Sequence, residues 1–195
     1  INNPKIVAVS KTFTIDKILP LIDYGHSDFG ENKVQEALEK WTEIKKINSK
    51  IKLHMVGKLQ TNKVKFAVQI FDYIHSVDSE KLAKKIADEQ NKMNKKIKIF
   101  LQVNIGNENQ KSGINKNEVG QLVSFSEQIG LNVIGLMCIP PLNSDPEGYF
   151  VEMNNLNKDL GLAELSMGMS SDYLIAAKNF STYVRVGSSI FGQRS

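Results

Sequence analysis

The sequence predicts an α/β fold, a closed (β/α)8 barrel of the TIM type, and three observations lead there. Short β-branched runs alternate with longer amphipathic segments along almost the whole chain, as parallel strands joined by helical crossovers do. Eight such runs favour closure into a barrel over an open doubly wound sheet. No Pro/Gly/Ser-rich linker or internal repeat divides the 195 residues, so about 24 residues serve each unit and a single domain spans 1–195.

Residues 6–10 (IVAVS) form a buried-strand pattern, and a helix is predicted over 14–24. A short second strand at 28–30 leads into a helix over 33–47, with Val34, Leu38, Trp41 and Ile44 at helical spacing. Strand three is 51–56, followed by a short helix over 60–69. Strand four is 73–76, and Ser79 is placed to cap the helix over 80–93. Strand five (97–104), a helix (116–129) and strand six (132–139) follow, the last stopped by Pro140-Pro141. A helix over 147–160, strand seven over 164–167, a helix over 172–179 and strand eight over 182–186 complete eight strands joined by seven helices.

Hydrophobic residues make up 41% of the chain and charged residues 24%, the profile of a globular protein with a sizeable core rather than a disordered chain. No apolar run approaches the roughly 20 residues that span a bilayer, and no signal-peptide pattern opens the sequence. The single cysteine, Cys138, excludes an internal disulfide and a multi-cysteine zinc site, so a cytoplasmic, reducing setting is expected. The net charge of +4 comes almost wholly from lysine, since Arg185 and Arg194 are the only arginines among 25 basic residues. Lysine runs such as 92–98 hold few aromatics and are expected to be solvated helix ends, not a nucleic-acid surface.

Barrel proteins place their chemistry at the C-terminal ends of the strands. In the first strand, positions 7, 9 and 11 share one face, so Lys11 continues the row of Val7 and Val9. If that row faces inward, an amine emerges from an apolar shaft, where burial disfavours the charged form and makes a Schiff-base nucleophile. The alternative is a strand-end lysine whose amine snorkels to water. Arg185 lies in the apolar run Tyr183-Val184-Arg185-Val186, with Val184 and Val186 assigned to the outer face, which turns the guanidinium inward. It then needs an anion or strong acceptor, and a buried salt bridge with Glu31 or Asp172 is an equal alternative. Two small-residue loops, 166–172 (SMGMSSD) and 187–189 (GSS), follow strands seven and eight, where this fold usually binds phosphate. His26, His54 and His75 have no metal-ligand spacing, and Cys138 is expected to be a core residue. There is no Walker A loop, no dinucleotide-binding glycine motif and no nucleophile elbow.

In order along the chain, AVSKT (8–12), FGEN (29–32), GKLQTNK (57–63) and IHSVDS (74–79) resemble the pyridoxal phosphate homeostasis protein family. The resemblance continues through QVN (102–104), KSG (111–113), GLM (135–137), SMGMS (166–170), VRVG (184–187) and IFG (190–192). It implies the alanine racemase-like barrel of fold-type III pyridoxal 5′-phosphate (PLP) proteins, lacking their second β domain. It implies that Lys11 holds PLP as an aldimine, that Ser166, Met167, Gly168, Ser170, Gly187 and Ser188 hold the phosphate, and that Arg185 faces the pyridine nitrogen. By the same resemblance Asn32, His54 and Met137 line the ring. Lys58 stands where histidine is common in the family and Ser188 where threonine is common; a helix usual before the first strand has no counterpart, and 145–150 is a few residues short.

A guanidinium donates to the pyridine nitrogen without protonating it, which weakens the electron sink that carbanion chemistry uses. The resemblance therefore implies a PLP carrier acting in vitamin B6 and amino-acid homeostasis, with no catalytic residue, a monomer, and PLP-dependent apo-enzymes as partners. A small PLP enzyme such as a racemase or lyase is the alternative; an aldolase-type barrel acting on a sugar phosphate is a second.

Overall fold

The computed structural model describes residues 3–109 and 112–192. Eight parallel strands close into a barrel in the order of the sequence. They are β1 (Lys5–Val9), β2 (Asp28–Glu31), β3 (Lys52–Met55), β4 (Tyr73–Val77), β5 (Lys98–Val103), β6 (Asn132–Cys138), β7 (Glu164–Met169) and β8 (Tyr183–Val186). Seven helices join them: α1 (Ile15–Asp23), α2 (Val34–Ile47), α3 (Val64–Ile70), α4 (Glu80–Lys92), α5 (Val119–Gln128), α6 (Glu147–Asp159) and α7 (Tyr173–Lys178). An eighth, α8 (Ser188–Phe191), follows the last strand. Closure is made by β1 against β8, with Val7 opposite Arg185 and Ala8 opposite Val186.

Strand alternation divides the interior into two layers of apolar side chains. Ala8, Phe29, Leu53, Met55, Ile74, Ile99, Leu101 and Leu136 turn outward and pack under the helices with Ile18, Trp41, Val68 and Ile86. Val7, Tyr73, Phe100, Met137 and Tyr183 turn inward and fill the barrel itself. The barrel is thus a packed core, with open space left at the C-terminal mouth.

Three features depart from the sequence expectation. The helix expected over 60–69 splits into a 3-10 turn, Thr61–Lys63, and α3. The helix expected from 116 starts at Val119. The segment after Gly187 coils into α8, too short a run to carry helical periodicity. The cap at Ser79 forms as expected, its Oγ accepting from the Leu82 N–H at 3.2 Å.

Candidate functional site

Lys11 lies two residues beyond the end of β1, on a turn held from several sides. Thr12 adopts φ +68°, a left-handed conformation that costs a β-branched residue about 1–3 kcal/mol. Its N–H donates to Glu36 Oε1 on α2 at 2.5 Å. Lys40, one turn further along α2, donates to the Ser10 carbonyl at 2.8 Å and the Phe13 carbonyl at 3.1 Å, bracketing Lys11 and Thr12. Ser10 Oγ donates at 2.8 Å to Glu31 Oε1, which also receives Trp41 Nε1 at 2.9 Å. Burial pushes the Glu31 carboxyl up, against the lowering effect of Lys40, Trp41 and Ser10. These contacts turn the lysine toward the barrel mouth: Val7 is in the inner cluster, and Val9 and Lys11 line the cavity above it.

That cavity has a volume of about 590 Å³, the size of a small-molecule site. Its wall includes Lys11, Phe13, Asn32, Ser170, Ser171, Arg185, Gly187 and Ser188. Asn32 is set by close approach to Gly57, where a Cβ would fall 2.5 Å from the Asn32 carbonyl oxygen. Phe13 is held against Phe191 of α8, with ring centroids 5.2 Å apart. The two small-residue loops meet where the Gly187 N–H donates to Ser170 Oγ at 3.2 Å. Asp172 tightens the first of them, its Oδ1 accepting from the Met169 N–H at 2.6 Å.

Of the residues expected at the site, Lys11, Asn32, Ser170, Arg185, Gly187 and Ser188 come together on this wall. The side chains of His54, Met137, Ser166 and Met167 do not. His54 lies two residues below Val56 and Met137 two below Ile139, and it is Val56 and Ile139 that reach the cavity. Strand pitch therefore puts His54 and Met137 one layer deeper, in the barrel interior. In β7, Ser166 pairs with Tyr183 but Met169 pairs with Arg185, an extra residue that makes a bulge. The bulge leaves Met167 in the outer cluster and sets Gly168, at φ +93°, against α7. A Cβ there would lie 2.5 Å from Ala176 Cβ. Met169 is turned back to the cavity, a position that strict alternation from Ser166 does not assign to it. Sequence reasoning also misses Phe13 and Gly192 as wall residues; Phe13 stands two residues after Lys11 and Gly192 three after the loop 187–189, and that proximity is the only signal the sequence offers.

Arg185 is buried, and among the described residues it pairs with no carboxylate. Its Nη1 donates to Ser166 Oγ at 2.6 Å and its Nη2 to the Cys138 carbonyl at 2.9 Å. Neither Glu31 nor Asp172 is its partner; Glu31 turns outward from β2 to α2, and Asp172 binds its own loop. Burial lowers the guanidinium from its usual range, with Cys138 and Asp172 opposing, but a group that starts so far above neutrality stays cationic. Beneath it Ser166 Oγ meets His75 Nδ1 at 2.7 Å, and His75 Nε2 meets His54 Nδ1 at 2.9 Å. Cys138 is buried and its thiol is pushed up to about 12 by desolvation.

The closed parallel barrel with a lysine-bearing mouth belongs to a class with a known plan: residues 1–195 match the alanine racemase N-terminal domain family. A pyridoxal phosphate homeostasis protein of Aquifex aeolicus is 34% identical over 203 residues, covering 99% of this chain and 88% of that protein. The solved structure of PipY from Synechococcus elongatus without PLP superposes with a TM-score of 0.92 at 34% identity, over 97% of this chain and 93% of that one. The same protein with PLP bound gives a TM-score of 0.90 at 33% identity, over 97% and 92% of the two chains. The chain belongs to the alanine racemase N-terminal domain family, among its pyridoxal phosphate homeostasis proteins.

Proposed function

We propose that this chain binds pyridoxal 5′-phosphate at the barrel mouth and serves as a carrier in vitamin B6 homeostasis. The observation that carries the reading is the donor set on one 590 Å³ cavity: a lysine amine, two hydroxyl-bearing loops and a guanidinium without a carboxylate. Those groups match an aldehyde, a phosphate and a pyridine nitrogen. Lys11 is the residue that attaches the aldehyde, Ser170, Gly187 and Ser188 hold the phosphate, Arg185 donates to the ring nitrogen, and Asn32 packs beside the ring. When bound, the cofactor supplies an electrophilic aldehyde that condenses reversibly with amines.

The lining of the cavity supports the non-catalytic part of this reading. Among the described residues on its wall, Lys11 is the one amine, and no His, Tyr, Cys, Asp or Glu is there to act as a second base. Racemisation needs a second base on the opposite face of the substrate, and Arg185 remains protonated throughout. The same reading extends to a cytoplasmic monomer that passes the cofactor to apo-enzymes.

The test is the visible spectrum of the purified chain, reconstituted with PLP, before and after borohydride. A yellow protein whose band disappears on reduction, and a Lys11→Ala variant without that band, are expected. A wild-type chain that stays colourless after reconstitution would overturn the reading, and turnover across a panel of D- and L-amino acids would favour the enzyme alternative.

A further inference from the structure

Five side chains form one unbroken line of hydrogen bonds through the barrel, from its N-terminal end to the cavity. Asp28, the first residue of β2, has its Oδ1 3.0 Å from His54 Nε2. His54 Nδ1, His75 Nε2, His75 Nδ1 and Ser166 Oγ follow at 2.9 and 2.7 Å, and Arg185 Nη1 ends the line at 2.6 Å. His54, His75 and Ser166 are all fully buried.

The ends dictate where every proton sits. A guanidinium only donates, so Ser166 Oγ accepts from Arg185. The Asp28 carboxylate at the other end only accepts, so with both rings neutral the Ser166 proton goes to His75 Nδ1. His75 must then carry its proton on Nε2 and donate to His54 Nδ1. That leaves His54 its proton on Nε2, donating to Asp28, whose carboxylate only accepts. Reversing the line would aim an unprotonated His54 Nε2 at a carboxylate. With both rings neutral, only one set of tautomers satisfies all four bonds, and it runs from the cation to the anion.

We propose that Ser166 and His75 are positioning residues for Arg185, and that His54 and Asp28 complete a one-way hydrogen-bond chain that pins the guanidinium at the cavity. The chain explains two buried histidines that the carrier reading leaves without a task. Their surroundings agree with neutral rings. Burial lowers His75 well below its ordinary value, with His54 and Arg185 adding to the effect, and lowers His54 against the pull of Asp28 and Asp72. The rings are also clamped by stacking, His54 on Tyr73 at 4.1 Å and His75 on Phe100 at 4.3 Å. A buried polar line with every member satisfied is rigid, and the remaining guanidinium donors are presented to the cavity in one orientation.

The effect on cofactor geometry rests on the PLP reading, so the primary measurement uses the full chain with no ligand. In ¹⁵N-resolved spectra of the histidine side chains, His54 and His75 are expected as neutral Nε2–H tautomers with acceptor-type Nδ1 signals. Arg185 is expected to show separate Nη1 and Nη2 resonances in the wild type and faster exchange between them in Ser166→Ala, where only the Cys138 carbonyl still holds the group. Nδ1–H tautomers, or guanidinium signals unchanged by Ser166→Ala, would overturn the proposal. The second measurement is PLP titration: Ser166→Ala and His75→Phe are expected to weaken retention about tenfold and shift the visible band. His75→Gln, which can both donate and accept, should restore most of the loss. Tyr183→Phe, in the same aromatic cluster but outside the chain, should change neither. Variants that keep the wild-type band and affinity would also refute the proposal. A wild-type chain that binds no PLP refutes the carrier reading instead, and the ligand-free spectra still decide the chain.

Discussion

Lys40 Nζ lies 2.7 Å from Glu31 Oε1, joining the middle of α2 to the end of β2 in an ion pair whose carboxylate has no solvent exposure. The same amine holds the carbonyls on either side of the Lys11 turn, so one buried pair couples the barrel wall to the residue expected to carry the cofactor. Removing the cation leaves a buried carboxylate without its charge partner, a change that costs about 3–5 kcal/mol. Lys40→Met is expected to lower stability by that amount in urea denaturation, followed by the fluorescence of Trp41, which donates to the same oxygen. Covalent retention of PLP should fall in step, because the strained Thr12 turn loses its hold.

Gly168 is required by the bulge in β7. Its φ of +93° opposes any side chain, and an added Cβ would meet Ala176 at 2.5 Å. Gly168→Ala is expected to cost about 3 kcal/mol and to weaken phosphate-dependent binding. Gly148, in the first turn of α6 with nothing within 4 Å, is the contrasting case. Gly148→Ala should stabilise the chain by about 0.5 kcal/mol. Thermal melts of the two variants check both signs.

Acid should destabilise the fold through its buried histidines. His54 is faced by Asp28, Asp72 and Lys5 and His75 by Arg185, with Tyr73, Phe100 and Tyr183 packed on the rings. Both histidines titrate below their ordinary value of 6.5 when folded, so below it the unfolded chain binds more protons. Their contribution is therefore complete above 6.5 and is lost as pH falls through the folded values. At Asp28 burial opposes ionisation, but the bonds from His54 and Ser27 prevail and hold the carboxyl below 3.8, so its share is lost only at still lower pH. Glu31 acts oppositely, since its raised folded value favours the native state toward acid and releases that gain as pH rises. Unfolding midpoints that decline steadily from neutrality toward pH of about 5 are expected; a flat profile would contradict neutral buried rings.

Cys138 offers a probe of the core. Its thiol is buried and pushed up to about 12, so almost no thiolate exists at neutral pH. A thiol reagent should leave the native chain unmodified and label one site once denaturant unfolds it. Rapid labelling under native conditions would mean that β6 opens.

How much of the molecule is legible in its sequence depends on the range of the interaction. The barrel, its strand count and the shared face of Val7, Val9 and Lys11 follow from a two-residue period that each strand carries locally. The inward direction of Lys11 depends on the contacts that α2 makes with the turn after β1. The loops after β7 and β8 stand out by composition, and the cofactor follows from resemblance over nearly the whole chain. The inward turn of Arg185 is also legible, but its partner is not: Ser166 depends on how β7 is registered against β8, and the bulge between them shifts that register. In sequence, His54 and His75 stand in mostly apolar strands with nothing nearby to indicate a partner. Their roles exist only because β2, β3, β4, β7 and β8 bring Asp28, His54, His75, Ser166 and Arg185 into bonding distance. Local pattern thus sets which face a side chain takes, while closure of the barrel sets what it meets there, because a hydrogen bond between strands far apart in the chain leaves no period to read.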